Sequence, residues 1–460
     1  MRSLALAAAA AGGLMLGALA PPADADTRFE RIAGFTAPGT PAKYNRVGML
    51  EVGPSRTKNV LVLNPGTSAS AAYFLPLAQD IVRKVKGWQV WAVERRENLL
   101  EDQSVVDQAK AGKATDQRLF DYYLGYLTKG ESAVPDHYRP VRDADVPFAR
   151  QWGMRVEIGD LRRVVQAATR RGGKVVVGGH SLGGSITTAY ATWDFKGTPG
   201  AKGLSGLVFI DGGSSPTPIS PQEASQSLQE LEAGTPWLAF GGIPTPFAGL
   251  FDVVASTGVL MNPNGTSELQ TWPLLPDNLK PPVPTTNIAQ YGYALDTETS
   301  PPALAAAQAH LGRLAPAGER RGWERAGEPS PIRRYARMFS GTALKGLDGT
   351  AWYHPRRLTI DSGAVAAGNA NPAQAVLDVR ATHGDDLPRR LRIYAFGASL
   401  GGTRVLDAAR VLARQSGIPR RNLTLVDRHE TYAHNDPAAA SPRNAFVDRL
   451  VPLLGRISRN

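Results

Sequence analysis

Short apolar runs alternate along the chain with segments whose apolar positions recur every three to four residues, and they do so in two blocks. In the first block, about 43–211, Val47–Val52, Asn59–Leu63, Trp88–Val93, Lys174–Val177 and Gly206–Ile210 read as strands. Runs such as Val60-Leu61-Val62-Leu63 have no polar alternation, the pattern of strands covered on both faces. Leu77, Ile81, Val82 and Val85 share one face of a helix closed by Gly87. Ile158, Leu161, Val164, Val165 and Ala168 share a face of another, ended by Gly172-Gly173. A third helix is expected from Leu182 to about Trp193. The second block holds a strand at Leu391–Phe396, a helix on Val405, Ala408, Ala409 and Leu412, and a last strand at Leu423–Val426. A final helix carries Phe446, Val447, Leu450, Val451 and Leu454, with a kink expected at Pro452. Alternating strands and helices predict an α/β fold, a mostly parallel sheet covered by helices.

Two stretches break the rhythm. Residues 212–390 are rich in Pro and Gly and hold Trp237, Trp272, Trp323 and Trp352. That is too long for a structureless loop, so an inserted cap or lid is expected, with helices at Gln222–Glu232 and Ala303–Leu314. A second insertion is expected at about 97–150. The core is thereby divided into 26–211 and 391–460. At the N-terminus, Arg2, the apolar run Leu4–Ala20 and Ala23-Asp24-Ala25 have the pattern of a signal peptide over 1–25, cleaved near Ala25. The expected location is secreted or associated with the cell envelope.

Composition narrows the chemistry. The chain has no cysteine, which removes thiol catalysis, thiolate metal sites and disulfides. Its formal net charge is +11, but the basic residues are dispersed in short clusters such as Arg320-Arg321 and Arg420-Arg421. That distribution suits a solvated surface and weak attraction to an anionic cell envelope better than nucleic-acid binding. No metal or organic cofactor is implied: there is no His-Glu-x-x-His, no phosphate-binding loop, and no Gly-x-Gly-x-x-Gly before a helix. Oligomeric state is not legible.

The strongest chemical signal is Gly179-His180-Ser181-Leu182-Gly183-Gly184, between a Val-rich strand and a helix. A chain turning sharply from strand to helix holds its serine in a strained conformation at the helix N-terminus, where the partial positive charge favours an oxyanion. Side chains at 179 and 183 would collide with neighbouring elements. Gly397-Ala398-Ser399-Leu400-Gly401 also matches, but only one strand follows Ser399, so Ser181 is preferred and Ser399 is expected to be a loop residue that caps a helix.

The hexapeptide 179–184 resembles the nucleophile elbow of α/β-hydrolase esterases and lipases, and the resemblance extends over the framework 43–211 and 391–455 but not over the insertions. It implies the order serine, acid, histidine. It implies an oxyanion hole of two backbone N–H groups, from Leu182 and from Asn64-Pro65-Gly66-Thr67-Ser68, with Thr67 ahead of Ser68. It places the base in the loop after the last strand, where His434, in Tyr432-Ala433-His434-Asn435-Asp436-Pro437, is preferred to His429. His137, His310, His354 and His383 fall in inserted regions and are expected to be surface or cap residues. The acid is Asp211, ending the strand Gly206–Ile210, ahead of Asp407, four residues past the loop 397–403, and of any other carboxylate.

The reaction implied is hydrolysis of a carboxylic ester, from a small molecule or a lipid, through an acyl-enzyme on Ser181. A serine peptidase or acyltransferase with the same triad, and a catalytically silent binding or envelope protein of this fold, are the alternatives. Trp237, Leu238, Phe240, Phe247, Leu250 and Phe251 either line an acyl pocket or form the cap's own core.

Overall fold

The computed structural model describes residues 26–459, so the signal peptide expected over 1–25 lies outside the described residues. Eight strands form one sheet: β1 (Thr27–Ala33), β2 (Arg46–Val52), β3 (Asn59–Asn64), β4 (Trp88–Glu94), β5 (Val175–His180), β6 (Gly206–Ile210), and, late in the chain, β9 (Arg392–Gly397) and β10 (Leu423–Asp427). Their order is β1-β2-β4-β3-β5-β6-β9-β10. β2 runs antiparallel to β1 and β4, and every other pairing is parallel. The expected fold class is present. β1 was not anticipated, because its Thr-Arg-Phe-Glu-Arg-Ile-Ala sequence lies half-buried at the sheet edge and carries no apolar run.

Because side chains alternate across a strand, the sheet divides its apolar residues between two cores. Leu61, Leu63, Val90, Val208 and Phe396 pack with Leu77, Ile81, Leu450 and Leu454 on one face. Val60, Val62, Val177, Phe209 and Ile393 pack with Ile158, Leu161, Ile186 and Leu412 on the other. Five helices cover these faces: Leu75–Lys84, Met154–Thr169, Leu182–Thr192, Thr403–Gln415 and Ala445–Arg459. The last runs unbroken through Pro452, so the expected kink does not interrupt it.

Residues 212–390 hold several helices, among them Pro221–Ala233, Phe247–Met261, Asn287–Leu295 and Ile332–Ser340. The first begins with a capping box, Ser220 accepting from the Glu223 N–H while Glu223 accepts from the Ser220 N–H. Phe247–Met261 has apolar residues around most of its circumference and protein on most sides, which hides a helical period. The helix expected at Ala303–Leu314 is absent. A 3-10 turn at Pro302–Ala307 leads instead to β7 (Arg313–Leu314), which pairs with β8 (Trp323–Glu324). Gly312 enters that hairpin at φ 132°, where an added Cβ would lie 2.1 Å from the Glu324 carbonyl. A third apolar cluster joins Trp237, Leu250, Val253 and Trp352 to Phe120, Tyr123 and Tyr138 of the 97–150 segment. Among the described residues no helix is long and apolar enough to cross a membrane.

The chain leaves β3 for β4 on one side and leaves β5 for β6 on the other. A parallel sheet that reverses direction in this way opens a crevice at the strands' C-terminal ends. The loop after β3 and the turn after β5 face each other there.

Candidate active site

Ser181 stands between β5 and the helix Leu182–Thr192 at φ 55°, ψ −124°, a region that L-residues rarely enter. Contacts hold it there. The Ser181 N–H donates to the Ile210 carbonyl at 3.0 Å, and the Ser181 carbonyl accepts from the Gly184 N–H at 2.8 Å. The glycines are required by close backbone approach. A Cβ on Gly179 would lie 2.1 Å from the Gly183 carbonyl oxygen, one on Gly183 2.1 Å from that of Asn64, and one on Gly212 2.0 Å from that of Ser181.

His434 shares a cavity with Ser181. Its Nδ1 lies 2.6 Å from Asp211 Oδ2, and both side chains are buried. Burial alone would raise the Asp211 carboxyl. The hydrogen bond and charge of His434, with the Ala398 N–H, outweigh it and hold the group below the ordinary aspartate value. Asp211 is therefore an acceptor, Nδ1 carries the proton, and Nε2 is left as the basic nitrogen. That Nε2 is buried and has no hydrogen-bond partner among the described residues. Asp211 itself is strained, at φ 43°.

The second Gly-x-Ser-x-Gly sequence, Gly397-Ala398-Ser399-Leu400-Gly401, has a different job. Asp211 Oδ1 accepts from the N–H groups of Ala398 at 2.7 Å and Gly401 at 3.0 Å, so this loop is the cradle of the acid. Ser399 is exposed within it and does not cap a helix; the residue preceding the helix Thr403–Gln415 is Gly402. Asp407 lies on that helix, exposed and paired with Arg410 at 2.6 Å, away from His434. His429 is half-exposed and paired with Asp427 at 2.6 Å.

The loop after β3 brings Gly66, Thr67 and Ser68 to the same cavity. The Ser68 N–H already donates to His354 Nδ1 at 3.3 Å. The Thr67 N–H has no hydrogen-bond acceptor among the described residues, and the N–H of Leu182, first in its helix, has no intrahelical acceptor. Three residues to which the sequence analysis gave no role in the site organise this region. Arg95, buried at the end of β4, donates to the carbonyls of Pro65 at 3.0 Å, Gly66 at 2.8 Å and Ala69 at 2.9 Å, and pairs with Glu97 at 2.8 Å. His180 donates from Nε2 to the His434 carbonyl at 2.8 Å and lies against the His434 ring. Burial, then the proximity of His434, push its pKa down to about 3, so it is neutral. His354 is buried beneath the loop, its pKa pushed well down by burial and by the charge of Arg95. The available signals were the charged run Glu94-Arg95-Arg96-Glu97 directly after a buried strand, and the histidine inside the elbow itself. His354, in the segment 212–390, and His137, in the segment 97–150, are buried and not surface residues. His310 and His383 are partly buried and pair with Asp436 and Asp194.

The arrangement has eight core strands, an antiparallel second strand, and a strained serine after the fifth. The fold is that of the α/β-hydrolases. Solved structures similar to this chain include a protein of Sulfolobus solfataricus assigned as a lipase (15% identity, 94% of each chain covered, TM-score 0.47). Another is a thermophilic esterase from Thermogutta terrifontis (12% identity, 94% of this chain and 99% of that one, TM-score 0.40). A third is a monoglyceride lipase from Saccharomyces cerevisiae (10% identity, 94% and 95%, TM-score 0.40). No protein-family model matches the chain, and no curated protein matches it. The sheet order and the elbow of this chain carry the fold assignment; these distant similarities do not.

Proposed function

We propose that this α/β-hydrolase fold is a serine hydrolase acting on carboxylic esters. The observation that supports the reading best is the shared cavity of Ser181 and His434, with Nδ1 of that histidine held by Asp211 and Nε2 unpartnered. In the proposed reaction Ser181 Oγ attacks the ester carbonyl and its proton passes to His434 Nε2. The Leu182 and Thr67 N–H groups receive the oxyanion. His434 returns the proton to the departing alcohol, and water, activated by the same nitrogen, releases the acid. Asp211 holds the imidazole tautomer and balances the imidazolium.

An ester with an apolar acyl chain is favoured over a peptide because an apolar cavity, walled by Phe240, Phe251, Leu275 and Leu304, adjoins the cavity of Ser181. Phe240 and Phe251 thus line a pocket, whereas Trp237 and Leu250 belong to the cap's core. The leader-like N-terminus and the net charge of +11 support export and weak association with an anionic envelope.

Treatment of the purified protein with a fluorophosphonate probe, followed by mass spectrometry, tests the reading. Labelling at Ser181 that disappears in Ser181→Ala is expected, together with turnover of p-nitrophenyl esters. Failure of the folded protein to label would favour the non-catalytic binding role. Labelling with turnover of peptides but not esters would favour the peptidase.

A further inference from the structure

The apolar cavity beside the site is lined by three residues with hydrogen-bonding side chains, Asp252, Gln290 and Tyr291, and of these only Asp252 stands where it meets the cavity of Ser181. Phe240, Ala248, Asp252 and Ala307 line both spaces. Of these four, Asp252 alone bears a hydrogen-bonding side chain. It projects from the helix Phe247–Met261, and its Oδ1 accepts from the Tyr291 hydroxyl at 2.9 Å. Its Oδ2 has no hydrogen-bond partner among the described residues, and no cation pairs with it.

A carboxyl in this position needs an explanation. Burial pushes it up to about 8, which the Tyr291 hydrogen bond lowers only partly and the negative charge of Asp348 reinforces. At neutral pH the group is mainly the uncharged acid. Tyr291, whose own pKa is raised by burial, keeps its proton and donates to Oδ1. The acid proton then belongs on Oδ2, the oxygen that Tyr291 leaves free, on a residue that lines both cavities. An all-methylene chain passing Asp252 would leave that donor unsatisfied in an apolar setting, at a cost of about 1–3 kcal/mol. A hydroxyl on the chain accepts the acid proton and removes the cost.

We propose that Asp252 is a specificity-determining residue that selects ester substrates whose acyl chain carries a hydroxyl group where it crosses from the catalytic cavity into the apolar one. The inference rests on the ester-hydrolase reading of Ser181. Selection follows from a half-buried donor that one chain satisfies and another covers without satisfying, and such differences discriminate more strongly than added methylenes. An ammonium group on the chain is the weaker match, because it needs the ionised carboxylate that these surroundings disfavour.

The test compares kcat/KM for p-nitrophenyl octanoates that are unsubstituted, hydroxylated at a single carbon from the second to the sixth, or aminated at the same carbons. For the wild type, one hydroxylated isomer should exceed the unsubstituted ester on the order of tenfold. Asp252→Val should abolish the preference and Asp252→Asn, an uncharged donor of similar shape, should keep part of it. Calorimetric binding of the corresponding octanamides to Ser181→Ala gives a readout free of turnover. The hydroxylated amide should bind on the order of tenfold tighter, and this difference should vanish in the Ser181→Ala, Asp252→Val double variant. Equal values across the series, a preference that survives in Asp252→Val, or an aminated chain as the best substrate would overturn the proposal. Failure of the wild type to cleave any ester would count against the hydrolase reading, and the binding comparison would still decide the role of Asp252.

Discussion

At the residue scale the candidate site depends on groups whose other bonds are already spoken for. Asp211 has one oxygen on His434 and the other on two backbone N–H groups, so its carboxylate has a single orientation. Asp211→Asn should lower kcat by roughly 10⁴-fold, because the amide favours the wrong imidazole tautomer. Asp407→Asn should leave kcat and KM within twofold of wild type, about the effect of an exposed substitution. Steady-state kinetics on one p-nitrophenyl ester checks both. Arg95 is a positioning residue. Its guanidinium binds three carbonyls of the loop that carries Thr67, and an ammonium cannot reproduce that fork. Arg95→Lys should reduce kcat by about 10–100-fold with KM little changed, since an oxyanion donor acts mainly in the transition state. An equal loss in KM alone would contradict this role. Fluorophosphonate labelling should slow in parallel.

At the element scale, two loops of near-identical sequence have been put to different uses. The loop 179–183 presents its serine; the loop 397–401 presents its backbone. Ser399→Ala should therefore leave activity unchanged. Gly401→Ala should lower kcat by on the order of tenfold or more, because the added Cβ would stand 2.6 Å from Asp211 Oδ1. Kinetics on the two variants, with circular dichroism to confirm folding, separates these roles. The core elements were legible in the sequence because strands buried on both faces and helices with one apolar face leave clear periods. The cap was not. Phe247–Met261 has apolar residues around most of its circumference, β7 and β8 are two residues each, and β1 is a half-buried edge strand. None of these imprints a period on the sequence.

At the scale of the whole molecule, the structure encloses several carboxyl groups whose pKa is raised by burial: Glu157 and Asp252 to about 8, Glu94 to about 7 and Asp361 to about 6. Each binds a proton in the folded chain that the unfolded chain has already released above about pH 4. Their contribution to stability is thus fully present below that pH and is lost progressively up to about pH 8. The melting temperature should fall between pH 5 and 8. In Glu157→Gln the free-energy slope over that range should be shallower by on the order of 1 kcal/mol per pH unit. Calorimetric scans at pH 5, 6, 7 and 8 measure it. A slope identical to wild type would show that Glu157 ionises normally in the folded protein.

The sequence by itself determined every strand of the sheet but β1, the helices that cover it and the serine elbow, because each of these is written in local periodicity or in glycines at fixed spacing. Position along the chain, read with the resemblance to α/β-hydrolases, also sufficed to prefer Ser181 over Ser399 and to name His434 and Asp211 as candidates. Only the tertiary structure decided which carboxylate meets the histidine. Asp211 and Asp407 flank the same loop in different elements, and the choice depends on which of them packs inward against residues more than twenty positions away. The same holds for Arg95, His180, His354 and Asp252. Their significance comes from contacts across the sheet and the cap, and a contact between distant segments leaves no spacing in the sequence from which to read it.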